Sequence, residues 1–349
     1  MLFYTPAPFA ESHRVSKSPP SASVDFLRAW CAAALLALVP LAAHSTVVTD
    51  LYQATVDADR GQAAAFQDAM RRVIVRVTGE RDGDAAPELA DLITNAQRYV
   101  QTYRNVPGGK VAIGFDGKKV VSIIAGAGKP VWGRERPATL VWLAVDDSAN
   151  RRRLVGAGDE GDLKAQIDAA ADGRGLPLVW PKLDATDVAH VSANDVWSGS
   201  TQKLLEAAAR YRADAVLIGK MNSGYGEWTL AAVGDIQQLR GGATDGVNAL
   251  ADRLSEVLAA SGTEAALTAT LDVSGVDSLA SYADLITTLE ASSLIRSVSV
   301  TELAGDRVVL ALNVRGTTDR LRRALAAQRK FEPLGDSTDS TKLFFRYRP

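Results

Sequence analysis

The sequence predicts an α/β and α+β protein in three parts: a mixed-sheet N-terminal domain over residues 46–150, a small α/β module over 151–262 and a ferredoxin-like domain over 263–349. Three observations predict this organisation. Apolar residues recur at helical spacing in the first part, helices alternate with apolar strands in the second, and the third has the order β-α-β-β-α-β. Since domains usually contain about 100–200 residues, a chain of this length is expected to divide in this way.

Residues 1–45 have the features of a cleavable secretory signal peptide. Arg28 precedes the apolar run "AWCAAALLALVPLAA", and Ala43 and Ser45 place small residues at the positions that a signal peptidase reads. The run is about 14 residues long, whereas a helix that crosses a bilayer needs about 20. We therefore expect a mature chain that begins near Thr46, lies in the periplasm and has no integral membrane span.

Removal of the signal peptide would leave few of the side chains that enzymes commonly use for catalysis. It would take away the sole cysteine, Cys31, together with His13 and His44, so that His190 is the remaining histidine. Disulfides, thiolate nucleophiles and Cys/His zinc sites are then excluded, and a Ser/His/Asp triad could use only His190. His190 lies in the polar segment "DATDVAHVSAND", which predicts a solvated loop. We expect no metal site and no cofactor.

The composition also limits the partners. The chain carries a formal net charge of -2 and 23% charged residues, which is typical of an ordinary folded protein. Such a balance gives no general attraction to nucleic acid or to an anionic membrane surface. We expect no nucleic-acid partner.

The first domain opens with "GQAAAFQDAMRRVIVRVTGE", which predicts an amphipathic helix. Phe66, Met70, Val73 and Val77 recur at helical spacing, and Gly79 ends the run. "ELADLITNAQRYVQTY" continues the same spacing and predicts a second helix. "KVAIGFD" alternates apolar and polar residues and predicts a half-buried strand, and "GKKVVSIIAGAG" predicts a short helix and turn.

The segment "PVWGRERPATLVWLAVDD" contains the candidate site. Pro130 and Pro137 exclude regular helix, and "TLVWLAV" predicts an interior strand that is covered on both faces. The favoured interpretation is a stacked, salt-bridged corner of tryptophan and arginine; the alternative is a partner-binding patch, because Trp and Arg are enriched in interface hot spots. The candidate binding residues are Trp132, Arg134, Glu135, Arg136 and Trp142.

Four blocks of this first domain resemble a known family. "AMRRVIVRVTG", "YVQTYRN", "VAIGFD" and above all "PVWGRERPATLVWLAVD" are similar to the recurring blocks of a bacterial envelope family known only as domain of unknown function number 2066. The resemblance covers Val47 to Asp147, and "YVQTYRN" departs from it because an aromatic residue is expected near Asn105. It implies a secreted or periplasmic protein of gammaproteobacterial type without assigned catalysis, so it transfers no catalytic residue.

Two glycine-rich stretches are predicted to be turns and not phosphate-binding loops. "GAGDEG" matches G-x-G-x-x-G, but Asp159 and Glu160 would place two negative charges beside a pyrophosphate. "AGAGKP" has Pro130 where a P-loop needs Ser or Thr.

The middle module is predicted from alternating segments. "LKAQIDAAADGRG", "TQKLLEAAARYRA" and "GVNALADRLSEVLAAS" predict helices, and "LPLVWP", "DAVLIGKM" and "GEWTLAAVGD" predict strands, the last two joined by the turn "NSGYG".

The last domain follows the order of a split βαβ unit. "LTATLDVSGV" predicts a strand, "LASYADLITTLEASS" a helix, "RSVSVTELAGDRVVLALNVRG" two strands, "TDRLRRALAAQ" a helix and "KLFFRYRP" a final strand. The central strands lack the aromatic residues that stack on RNA bases. The final strand is predicted to be an edge strand protected by charge, with a binding strip as the alternative. Its basic and aromatic residues are Lys342, Phe344, Phe345, Arg346, Tyr347 and Arg348.

We expect a non-catalytic binding, adaptor or assembly factor with an unidentified envelope protein partner. One alternative is a periplasmic cell-wall hydrolase, which would use acidic pairs or a Ser/Lys pair; another is a carrier of a small ligand or lipid. A cleft lined by two carboxylates would favour the hydrolase, an apolar tunnel the carrier and an exposed Trp/Arg surface the adaptor. The catalytic candidates are Asp146 with Asp147, Asp159 with Glu160, and Ser223 with Lys220.

Overall fold

The computed structural model describes residues 46–146, 151–261, 266–335 and 338–348. These residues belong to one compact unit and have the mixed helix and strand content of an α+β fold. The predicted signal peptide lies outside the described residues. In the part of the chain that is described, no helix is both long and apolar enough to cross a bilayer.

The N-terminal module packs three helices against a three-stranded antiparallel sheet of order β2-β4-β3. The helix predicted from Phe66 and its apolar neighbours is confirmed as α1, which Gly79 ends with a left-handed φ of 71°. Its elements are β1 Thr46–Val47, β2 Gln53–Asp57, α1 Gln62–Thr78, α2 Ala90–Thr94, β3 Val100–Val106, β4 Lys110–Phe115, α3 Gly117–Gly126, β5 Pro130–Val131 and β6 Glu135–Arg136, with 3₁₀ turns at Gly83–Ala85, Pro87–Leu89 and Ala96–Tyr99.

The helix predicted over "ELADLITNAQRYVQTY" is wrong in its second half. The α2 helix ends at Thr94, a 3₁₀ turn follows, and Val100 begins the strand β3, which pairs with β4. The apolar residues of this segment fit a strand as well as a helix, and pairing with the adjacent β4 decides between them.

The middle module is a six-stranded mixed sheet covered by helices on both faces. The strands run in the order β12-β11-β10-β7-β8, and β9 pairs with the first two residues of β7. The elements are β7 Thr139–Asp146, β8 Arg152–Val155, α4 Asp162–Arg174, β9 Leu178–Val179, α5 Ala185–His190, α6 Ala193–Ser198, α7 Thr201–Ala208, β10 Ala215–Asn222, β11 Tyr225–Ala232, β12 Asp235–Gly242, α8 Asp245–Leu258 and β13 Ala260–Ser261.

The interior strand predicted over "TLVWLAV" is confirmed as β7, buried from Thr139 to Ala144. It pairs in parallel with β10 and therefore belongs to the sheet of the middle module, although the sequence grouped it with the first domain. The helices α4 and α8 cover one face of this sheet, and α6 and α7 cover β7 and β10 on the other.

The C-terminal module is a five-stranded sheet of order β15-β16-β14-β18-β17 with two helices. The order β15-β16-β14 is that of a split βαβ unit, but β18 lies between β14 and β17 and runs parallel to β14. The elements are β14 Ala266–Ser274, α9 Leu279–Glu290, β15 Ile295–Ala304, β16 Arg307–Arg315, α10 Thr318–Ala326, β17 Phe331–Pro333 and β18 Lys342–Tyr347.

The expectation that the final strand is an edge strand is therefore wrong. The short strand β17 takes the edge, and β18 sits inside the sheet. Phe345 and Tyr347 are buried in the core of the module, whereas Phe344 is half-buried and the basic residues point to solvent. Phe345 and Tyr347 thus serve packing, whereas Phe344 lies on the same face of the strand as the basic residues.

Candidate functional site

The Trp132 corner is a buried packing unit. Trp132 and Arg136 are each 1% exposed, and the Arg136 guanidinium carbon lies 4.0 Å from the centroid of the indole ring. The guanidinium donates to five backbone carbonyl oxygens at 2.5 to 3.2 Å, which belong to Arg76, Trp132, Gly133, Arg174 and Gly175. Stacking on the indole agrees with the predicted corner, but the acceptors are carbonyl oxygens, so the corner is not salt-bridged at Arg136.

Two further buried arginines, Arg76 and Arg174, flank Arg136. Arg76 donates to the carboxylate of Asp172 at 2.6 Å, and Arg174 donates to the carboxylate of Asp252 at 2.6 Å. Burial lowers the pKa of Arg136 to about 9; the nearby Tyr52 opposes this shift, and the two neighbouring arginines add to it. Arg136 remains protonated at neutral pH, and the three guanidinium groups join α1, α4 and α8.

The other three candidate residues lie in different surroundings. Arg134 is exposed and donates to the carbonyl oxygens of Val48 and Thr49 at 3.3 and 3.0 Å. Glu135 is half-buried, and burial is the main reason that its pKa is raised. Trp142 is fully buried in the middle module. The five candidate residues therefore do not share an exposed surface.

The Ser/Lys pair is not assembled in the structure. Ser223 lies in the turn between β10 and β11 with a φ of 53°, and its hydroxyl donates to the side chain of Asn222 at 3.1 Å. The ammonium of Lys220 forms an ion pair with Glu227 across the hairpin at 2.8 Å. The base therefore interacts with a carboxylate and not with the serine.

His190 lies at the end of the short helix α5, so the predicted loop is wrong, although the side chain is exposed as expected. Its Nδ1 is 2.8 Å from the carbonyl oxygen of Thr186. Over the described ranges, no group of three or more His, Cys, Asp or Glu side chains is arranged to hold a metal ion.

The described aspartates of the two candidate acidic pairs form contacts with neighbouring residues of the chain. Asp159 accepts hydrogen bonds from the backbone N–H of Gly156 at 2.9 Å and from Arg153 at 2.8 Å, which confirms the predicted turn. Glu160 beside it is exposed. Asp146 lies 3.6 Å from Arg152, and its neighbour Asp147 is outside the described residues.

A cavity of about 390 Å³ that the sequence did not predict lies on the middle sheet. The helices α6 and α7 cover β7 and β10, and none of the described helices covers the continuation of this face onto β11 and β12. The ends of α6 and α7 form one wall, and the strands form the floor. The charged and polar residues that line this sheet cavity are Thr201, Lys220, Glu227, Thr229, Gln238 and Arg240. Val196 and Ile218, which are 1% and 5% exposed, add a small apolar surface.

An apolar surface on α9 and β15, called the edge groove below, is the second feature that the sequence did not predict. Asp284 and Thr288 on α9 bind Lys330, on the side of β17 and β18. Helical spacing therefore directs the stripe Leu279, Tyr282 and Ile286 to the opposite side, toward β15, against which α9 packs. Three side chains of β15 face the same side, because they pair with core residues of β16: Val298, Val300 and Leu303.

The apolar surface of this edge groove is open to solvent at one end. Leu279 is 83% exposed, Leu303 65% and Val300 46%, whereas Tyr282, Ile286 and Val298 are half-buried against the core. β15 is at the edge of the sheet, and within the described chain its outer side pairs with no strand. Two irregularities in its pairing with β16 lie at Ile295/Ser297 and Val300/Glu302.

Comparison with known protein families gives a match for the N-terminal part of the chain. Residues 45–133 match the family model of a domain of unknown function, DUF8605. The matched segment contains β1 to β5 and ends at Gly133, within the Trp132 corner. An uncharacterised domain in this segment was expected, but the matching family is not number 2066. No curated protein and no solved structure matches the chain.

Proposed function

We propose that the protein is an exported, non-catalytic adaptor of the cell envelope that binds an extended segment of a partner protein along β15. The observation that carries the proposal is the edge groove: a ten-residue edge strand beside an apolar helix face. An unpaired strand edge offers N–H and C=O groups to another strand, and peptide-binding domains use this mode of recognition.

The side chains of the groove define the chemistry of the partner segment. Successive side chains of an added strand point to opposite faces of the sheet. Alternate residues of the partner would therefore enter the groove, where Val300 and Leu303 form one wall and Leu279 the other. We expect a segment with apolar residues at every second position.

Charges at the two ends of the strand limit nonspecific pairing. Arg296 and Glu302 are exposed on β15, and charged residues and bulges are features that protect natural edge strands from aggregation. The edge would then accept a partner that fits the groove better than a second copy of the same strand.

The envelope location rests on the signal features of residues 1–45. Export would place the groove in the compartment where envelope proteins are assembled. The match of residues 45–133 to an uncharacterised domain agrees with an adaptor role but assigns no activity.

Site-specific photocrosslinking in cells tests the groove. A photoreactive phenylalanine analogue at position 300 should form a crosslink to one segment of a partner protein, and mass spectrometry of the crosslinked peptide should show alternating apolar residues. The change Leu303→Asp should abolish the crosslink without lowering the melting temperature, because the side chain is already exposed.

The matched control is the same analogue at position 236. Ile236 is also exposed and lies on β12, the edge strand of the middle sheet. The analogue at this position should give no crosslink to the partner segment. Equal crosslinking at both positions, or a crosslink at 300 that survives Leu303→Asp, would contradict the proposal. Amino-terminal sequencing of the periplasmic protein tests export separately and should give a start near Thr46.

A further inference from the structure

We infer that the sheet cavity binds a small amphiphilic anion, an organic carboxylate or sulfonate with a compact apolar body. This site is distinct from the edge groove and belongs to the middle module. Its volume of about 390 Å³ lies in the lower part of the range of small-molecule pockets, which is about 300–1,000 Å³.

The cavity exists because the sheet is wider than the helix layer that covers it. Val196 of α6 and Thr201 of α7 stand at the edge of this layer, and Ile218 lies on the strand beneath it. A ligand in the sheet cavity would contact apolar side chains beside the helices and polar side chains on the strands that no described helix covers. This asymmetry suits a molecule with one apolar part and one polar part.

The polar side of the cavity carries a row of three charges across neighbouring strands. Lys220, Glu227 and Arg240 are directly paired in the registers of β10, β11 and β12. Glu227 accepts from Lys220 at 2.8 Å and from Arg240 at 2.8 and 3.0 Å. Two cations thus share one carboxylate, and the row has an excess of one positive charge.

This excess charge is fixed at neutral pH. The ion pair with Lys220, followed by that with Arg240, lowers the pKa of Glu227, so the carboxylate stays ionised. Arg240 uses its Nε and Nη2 for Glu227, and a guanidinium has five N–H donors, so donors remain that can reach an anion. Hydrogen bonds of this kind to a charged group are stronger than neutral ones.

Uncharged polar groups complete the lining and would orient the ligand. Thr229 and Gln238 are cross-strand partners on β11 and β12, next to the charged row, and Thr201 faces them from α7. Val196 and Ile218 leave only a small apolar surface open to a ligand, because they are 1% and 5% exposed. A strongly hydrated dianion gains nothing from this surface, whereas an aryl or short-chain carboxylate or sulfonate can contact both the apolar surface and the cations. The chemistry of the cavity therefore favours the amphiphilic monoanion.

A pair of fluorescent probes tests this inference on the purified protein. 8-Anilinonaphthalene-1-sulfonate carries the anion and the apolar body, and N-phenyl-1-naphthylamine is its neutral counterpart. Arg240→Gln should weaken binding of the sulfonate about tenfold, which corresponds to one charge-assisted hydrogen bond, and should leave the neutral probe unaffected. Glu227→Gln should strengthen sulfonate binding, because it frees both cations.

The control variant Arg307→Gln removes a comparable cation from the C-terminal sheet, where Arg307 on β16 forms an ion pair with Asp272 on β14. It should leave sulfonate binding unchanged, and so should Val300→Asp in the edge groove, which separates this site from the proposed partner site. Absence of saturable sulfonate binding, or the same affinity in wild type, Arg240→Gln and Glu227→Gln, would overturn the inference and leave the charged row as a structural feature only.

Discussion

At the scale of single residues, Arg136 and Arg134 show what decides the role of a charged side chain. They are two positions apart in "GRERP", yet Arg136 is buried over Trp132 and Arg134 is exposed. Removing a guanidinium from water is costly, and five carbonyl oxygens with the indole face offset this cost. The sequence predicted stacking in this segment but could not say which arginine stacks, because this depends on the bend of the backbone at Arg134, directly before β6.

Glu135, between these arginines, is the residue whose titration we expect to affect stability. Its Oε2 is buried without a hydrogen-bond partner among the described residues, and burial is the largest cause of its raised pKa; Lys330 opposes the shift and Asp284 adds to it. An acid with a raised folded-state pKa favours the folded state at low pH. This contribution is lost as the pH rises from the unfolded pKa through the folded pKa.

We therefore expect Glu135→Gln to melt at a higher temperature than wild type at pH 7 and at nearly the same temperature at pH 4, where Glu135 is mostly protonated. Differential scanning calorimetry at the two values measures the change. Glu227→Gln is the control with the opposite sign, because ion pairs lower the pKa of Glu227 and the variant should melt at or below the wild-type temperature at pH 7. A stabilisation of Glu135→Gln that is equal at both pH values would contradict this explanation.

At the scale of elements, the segments whose apolar residues follow a clear pattern were predicted correctly, and the segments with an ambiguous pattern were not. The helix α1 and the strand β7 follow from the spacing of Val73 and Val77 and from the apolar run around Trp142. The strand β12 was missed because "DIQQLRGG" lies at an edge and is largely polar. The sheet cavity and the edge groove could not be predicted, because both depend on which strands are neighbours and on where a helix layer ends.

The position of β18 in its sheet gives a prediction at this scale. Phe345 is buried in the C-terminal core, where its ring lies 6.0 Å from that of Phe331 in an edge-to-face contact, whereas the adjacent Phe344 is half-buried on the other face. Phe345→Ala should lower the free energy of unfolding by about 3–5 kcal/mol, the usual cost of truncating a buried phenylalanine. Phe344→Ala should cost clearly less. Urea titrations of both variants measure the difference, and similar losses would show that β18 is not held between β14 and β17.

At the scale of the whole molecule, the three modules share cores and buried polar contacts. One hydrophobic cluster contains Trp132 from the corner, Leu250 from α8, and Leu294 and Ala324 from the C-terminal module. The short pairing of β5 with β13 also joins segments that are distant in sequence. These links explain why the described chain forms one compact unit, and no local sequence pattern indicates them, since each partner is an ordinary helix or strand residue within its own segment.

Arg136 is the single residue whose removal should loosen these links most. Its guanidinium donates to the carbonyl oxygen of Arg76 in α1 and to those of Arg174 and Gly175 at the end of α4. Arg136 therefore links the N-terminal module to the middle module. Arg136→Met keeps an apolar stem over Trp132 but leaves buried carbonyl oxygens without a donor. We expect a clear loss in the free energy of unfolding, because each buried carbonyl oxygen left without a donor costs about 1–3 kcal/mol.

The wild-type protein should unfold in one transition, seen equally by tryptophan fluorescence and by hydrogen exchange of α1 and α9. In Arg136→Met the amides of α1 should lose protection at a lower urea concentration than those of β10, because the contact between their modules is weakened. Arg134→Met is the matched control: it removes an exposed arginine two positions away and should cost about 1 kcal/mol or less. If both variants unfold like wild type, or if Arg136→Met lowers protection equally in α1, β10 and α9, the guanidinium of Arg136 is not what couples the two modules.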